Sequence, residues 1–200
     1  MRLGQAAMEA LRAEITGCLK PGDELVVACP VALERNLCNS EKMKKDKLAE
    51  RFSAGFYSEL RFTFGMLMEP AVLSGKLRRR QMPTHYMLWV RAAFLSALWK
   101  MAEASEVGLE ADFRKVPIRQ ETIEVCEIFD LNPYKLQADG AVLIGIRGGE
   151  ALVQRLRNEG FMAEVIGQTN SGNDRLLYSG GSARYLERPA EDELQQLLKE

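Results

Sequence analysis

Two hundred residues suit one domain of ordinary size, with or without a short extension, and such a chain buries a continuous core without a metal or disulfide staple. Lys and Arg total 27 against 28 Asp and Glu, which leaves no net field to recruit nucleic acid or an anionic membrane. Four cysteines without CxxC spacing and a single histidine supply no metal-ligand set, so reduced, mostly buried thiols are expected.

The opening MRLGQAAMEALRAEI mixes charges with its apolar residues and reads as neither a signal peptide nor a membrane span, so a cytoplasmic protein is expected. Within residues 5–18, Ala6, Met8, Leu11 and Ile15 fall at helical spacing, and residues 1–18 read as a helical extension. Pro21-Gly22 is a turn signal before a strand-like run, Leu25–Pro30. The run 39–47 is polar and charged, and Leu48, Phe52, Phe56 and Leu60 then mark one face of a helix. Two prolines bound 70–83, and KLRRR at 76–80 is read as solvated charge, with phosphate binding the competing reading.

Residues 85–104 predict the longest and most apolar helix, with Trp89, Ala93, Leu95, Leu98, Trp99 and Ala102 on its buried side and Gly108 at its end. A short strand is predicted at Leu109–Phe113 and a helix over Pro117–Phe129, with Ile123, Cys126 and Ile128 facing inward and Asn132-Pro133 stopping it. A strand at Ala141–Ile146, a turn at Gly148-Gly149, a helix at Glu150–Asn158, a cap at Gly160 and a strand at Ala163–Val165 follow. GQTNSGNDRLLYSGG predicts a hairpin or sheet edge, and PAEDELQQLLKE a terminal helix opened by proline and acids. The alternation of strand and helix implies an α/β (α+β) domain, layered α/β/α around a mixed sheet.

Two long segments, residues 97–146 and 163–177, carry a family likeness. On them the chain from about 19 to 194 resembles the C-terminal domain of the aminoimidazole ribonucleotide (AIR) synthetase superfamily, in its hydrogenase expression/formation branch, with 195–200 as a helix end. The resemblance implies an ATP-dependent, two-domain enzyme whose N-terminal domain supplies most of the nucleotide site and much of the dimer contact. This sequence departs from that pattern twice. Family members carry histidine, aspartate, any residue, threonine, glutamate, glycine, glycine where this chain has Met87, Leu88, Trp89, Val90, Arg91, Ala92 and Ala93. After PGDELVV, Cys29 takes the place of a lysine, and Ala32 and Arg35 those of glycines, while Leu33 and Glu34 persist. Both changes remove groups that hold a magnesium nucleotide: carboxylates for the metal, and glycines and a lysine for phosphate.

Arg91, Asn173, Asp174 and Arg175 are the candidate ligand contacts. For the last three, turn formation and surface pairing is the competing account, and Asn132-Pro133-Tyr134 resembles a segment beside the inter-domain groove. No catalytic residue is assigned: His85 lacks a companion carboxylate motif, and Cys126 reads as a buried thiol. Trp89 and Trp99 fit core or interface packing. The leading expectation is a non-catalytic domain that self-associates as a homodimer or binds a protein, without cofactor. The alternatives are an ATP- and magnesium-dependent maturation or ligase-like subunit completed by a separate nucleotide-binding domain, and a small-metabolite binder.

Overall fold

The computed structural model describes residues 4–13, 17–32, 55, 93–136 and 141–188, and the backbone of 85–88. The helix expected over 48–60 (residue 55 apart), the basic run 76–80, the terminal helix, Cys38, Trp89 and Arg91 lie outside that set.

A seven-stranded mixed sheet forms the middle layer. In chain order its strands are β1 (Glu24–Ala28), β2 (His85–Leu88), β3 (Gly108–Asp112), β4 (Val142–Ile146), β5 (Ala163–Asn170), β6 (Arg175–Ser179) and β7 (Ser182–Tyr185). Their spatial order is β2-β4-β1-β5-β3-β6-β7, antiparallel throughout except for the parallel pair β3 and β6. Four helices are described: α1 (Gln5–Ala13), α2 (Phe94–Ser105), α3 (Gln120–Ile128) and α4 (Gly149–Asn158).

Strand periodicity sorts the core into two halves. Leu25 and Val27 of β1 and Leu143 of β4 face one side, where they meet Phe94, Ala97, Leu98 and Met101 of α2. Val26 and Ala28, with Val142, Ile144 and Ile146, face the other and meet Leu152, Val153 and Leu156 of α4. Both faces of the central strands are thus apolar, which explains why β1 and β4 read as continuous hydrophobic runs rather than alternating ones. The expected layered α/β arrangement is present.

The long helix expected over 85–104 is not. Residues 85–88 form edge strand β2, with His85 opposite Gly145 and Leu88 opposite Val142, and α2 begins only at Phe94. An apolar run alone does not distinguish a buried helix from a strand, and here the open edge of β4 supplies ladder partners that a helix would leave unmet. Nor does Gly108 close α2: Glu106 does so in the left-handed conformation, and Gly108 opens β3. Glycine is needed at 108 for another reason, since a Cβ there would stand 2.8 Å from the Asp174 carbonyl oxygen and 2.9 Å from that of Gly172.

Smaller differences follow the same rule that tertiary partners set boundaries. α3 starts at Gln120, and its buried residues are Thr122, Val125 and Cys126, with Ile123 and Ile128 half-buried. β5 runs to Asn170, five residues past the expected end, because β1 and β3 flank it on both sides. The glycine-rich stretch divides into the end of β5, a turn at 171–174 and the β6–β7 hairpin through Gly180-Gly181.

Candidate functional site

The strand directions fix which loops share an end of the sheet. The end of β1 at Ala28 pairs with the starts of β4 and β5, and β2 also finishes there at Leu88. The two segments that depart from the family pattern, 28–32 and 87–88, therefore meet at one end. The turn 173–175 lies at the other, beside Gly108 and the last turn of α2. Five residues of strand, roughly 16 Å at ~3.3 Å per residue, separate the two ends.

At the first end, main-chain bonds close the loop after β1. The Cys29 amide donates to the Met162 carbonyl at 2.7 Å, and the Val31 amide to that of Pro117 at 2.9 Å. Pro30 has no amide proton to offer. Cys29 and Ala32 both adopt positive φ, 67° and 57°, so the backbone at 32 holds a glycine-like turn while carrying a methyl group. Burial pushes the Cys29 thiol up to about 11, which keeps it protonated and non-nucleophilic at neutral pH. Triphosphate needs amide donors and a cation; the amides of Cys29 and Val31 are taken, and residues 28–32 carry no cationic side chain.

An open cleft of about 410 Å³ lies alongside, lined by Pro117, Phe161, Met162, Arg157 and Glu164. Arg157 is committed there, pairing with Glu164 and donating to the Ala163 carbonyl. Tyr134 stacks on Phe113 with ring centroids 4.7 Å apart, and burial raises its phenol pKa. Asn132 caps this short turn by accepting from the Tyr134 amide at 3.0 Å, so Asn132-Pro133-Tyr134 is an Asx turn that seats an aromatic ring against the core.

At the opposite end, Asn170 accepts from the Gly172 amide at 2.8 Å, and the Asp174 carbonyl receives the Leu109 amide at 3.0 Å. Asn173 and Asp174 are exposed. Arg175 does not pair at the surface as its turn position suggests. It bonds Glu103 of α2 at 2.5 Å, with the two side chains 15% and 11% exposed, and its guanidinium lies 5.1 Å from the Trp99 ring centre. Arg188 covers the same indole at 6.0 Å. Sequence reasoning missed Glu103; the signal was its spacing of four from Trp99 on one helix face.

The helix α4 also begins at this end, and a carboxylate already meets its first amide. Gly148 takes a left-handed conformation, and the Gly149 amide donates to the Glu24 carboxylate at 2.6 Å. Arg147 is held by Asp23 and by the Pro21 carbonyl. Thr169, 2% exposed, ties the same turn through the Lys20 carbonyl and the Asp23 amide. No helix among the described residues is long and apolar enough to cross a membrane.

Comparisons with known proteins supply the family context. Residues 91–178 match the family model "AIR synthase related protein, C-terminal domain". Carbamoyl dehydratase HypE of Rhodobacter capsulatus is 30% identical over 104 residues, covering 48% of this chain and 31% of that protein. A putative hydrogenase expression/formation protein of Methanocaldococcus jannaschii is 32% identical over 81 residues, 38% of this chain and 24% of that protein. Among solved structures, E. coli HypE superposes with a TM-score of 0.66 at 20% identity, over 87% of this chain and 52% of that one. HypE in complex with ATP gives 0.65 at 17% identity, again over 87% and 52%. The HypE–HypF complex gives 0.60 at 16%, over 85% and 54%. The chain thus spans about half the length of the solved chains it matches and less of the curated proteins.

Proposed function

From the premise that this chain is a divergent AIR synthase-related protein of the hydrogenase-maturation branch, we propose that it serves as the C-terminal-type domain of an ATP-dependent maturation system. In this reading the nucleotide is held by a second domain, and the chain acts in a protein complex. The observation that carries it is the match to ATP-bound HypE, with a TM-score of 0.65 over 87% of this chain. The closed loop at 29–31 agrees, because it leaves phosphate contacts to other residues. A partner protein is supported by the likeness to a chain solved in a HypE–HypF complex.

The test is calorimetric titration of Mg-ATP into the purified chain, alone and mixed with the N-terminal domain of the R. capsulatus relative. The chain alone takes up no stoichiometric nucleotide, whereas the mixture forms a complex in size-exclusion chromatography and retains ATP more tightly than the N-terminal domain does by itself. Stoichiometric Mg-ATP binding by the chain alone, or no complex and no gain in retention, overturns the proposal.

A further inference from the structure

The last strand of the sheet leaves one side of its backbone open. β7 pairs with β6 alone, and no strand among the described residues lies beyond it. The Leu186 amide donates to the Arg175 carbonyl at 2.8 Å, and the register sets Arg184 opposite Leu177. Hydrogen-bonded pairs alternate along an antiparallel ladder, so 182, 184 and 186 turn their main-chain groups toward β6, while Ala183 and Tyr185 turn theirs outward. Both are exposed, Tyr185 at 66%. Such an edge is a template for another extended chain.

The side chains along the edge select what can join it. Arg184 lies 4.9 Å from the Phe113 ring centre and Arg188 6.0 Å from that of Trp99, with the buried Leu186 between them, which puts both guanidiniums on the α2 side of the sheet. Both arginines are exposed, and no carboxylate among the described residues, Glu187 included, pairs with either. Contact with a ring face holds a guanidinium in place and leaves its donor edge free, so less side-chain entropy is lost when a carboxylate arrives. A second copy is the wrong occupant, because pairing β7 with itself gathers four guanidiniums on one face of the ribbon, and like charges across strands repel. An acidic strand meets opposite charge there instead. We propose that the free edge of β7 accepts an extended acidic segment of a protein partner, its main chain bonded to Ala183 and Tyr185 and two of its carboxylates on Arg184 and Arg188. This site stands apart from the nucleotide reading above, since it uses neither the segments that depart from the family pattern nor the family likeness, and the Mg-ATP titration leaves it untouched.

The probe is a short labelled peptide of alternating valine and threonine that carries two glutamates four residues apart, titrated into the full chain beside its glutamine and lysine counterparts. In fluorescence anisotropy the glutamate peptide binds about tenfold or more tightly than the glutamine one, the worth of a hydrogen bond to a charged group. Bound peptide slows hydrogen exchange at the outward amides of Ala183 and Tyr185 far more than at Arg184, whose amide already faces β6. Arg184→Glu combined with Arg188→Glu transfers the preference to the lysine peptide, a rescue that a misfolded variant would not give. Tyr185→Pro, unlike Tyr185→Ala, removes an outward amide without touching the β6 ladder and weakens binding by about tenfold. Equal affinities for the glutamate and glutamine peptides, unchanged exchange at Ala183 and Tyr185, or full binding by Tyr185→Pro overturns the inference. Self-association that protects the same two amides seats a second copy on the edge, and an oligonucleotide that competes as well as the glutamate peptide assigns the arginines to phosphate; either result also overturns it.

Discussion

Arg175 shows how a residue's role changes with its neighbour. Read along the chain it is a turn arginine, open to solvent or ligand. In the fold it crosses from the start of β6 to Glu103, and the pair sits 15% and 11% exposed beside Trp99, which Arg188 also covers. Removing one partner of a mostly buried pair strands the other charge, which costs more than the pair itself contributes. Glu103→Gln is therefore expected to lower stability by about 2–4 kcal/mol in urea unfolding, whereas an exposed pair such as Arg12 with Glu106 is worth under ~1 kcal/mol. Sequence reasoning singled out Arg175 but not its partner, because 72 residues separate the two.

At the scale of elements, most of the described helices and strands were legible from periodicity, and the largest failure has one cause. Residues 85–99 are apolar almost throughout, so no period distinguishes a strand plus a helix from one long helix. The open edge of β4 decided it. Glycines separate local from tertiary demands more sharply. Gly160 has φ +86° and open space where a Cβ would stand, whereas a Cβ on Gly167 would overlap the Glu110 carbonyl oxygen and lie 2.7 Å from the Ala111 Cα. Gly160→Ala should cost about 1 kcal/mol for the left-handed backbone, and Gly167→Ala more than ~3 kcal/mol, because β3 and β5 must move apart. Equal midpoints for the two variants in thermal unfolding would contradict this account.

For the whole molecule, the two-ended arrangement of the sheet governs which residues can cooperate. The segments 28–32 and 87–88 meet at one end, Asn173 to Arg175 stand at the other, and no reading of spacing along the chain could have separated them. The closed end also leaves a thermodynamic signature. Cys29 titrates near 9.0 when unfolded and near 11 when folded, so the native state keeps a proton that the unfolded chain loses above pH 9. Its contribution is fully present below pH 9 and is lost as pH rises to 11, at about 1.4 kcal/mol per pH unit. Denaturant unfolding from pH 8 to 11 should show this slope in the parent chain and a flatter one in Cys29→Ala.

The amino-acid sequence determined the fold class, the apolar β1 and β4, the turn glycines, the buried Cys126 and the likeness to a family, since each is written in local pattern or ordered similarity. Tertiary structure alone decided that residues 85–88 join the sheet, that Arg175 is held by Glu103, that the amides after β1 are consumed by Met162 and Pro117, and that β7 is left at the edge of the sheet among the described residues. The physical reason is common to all four. Hydrogen-bond partners and burial are properties of residues brought together from distant positions, and composition and periodicity carry no record of which distant residue will arrive.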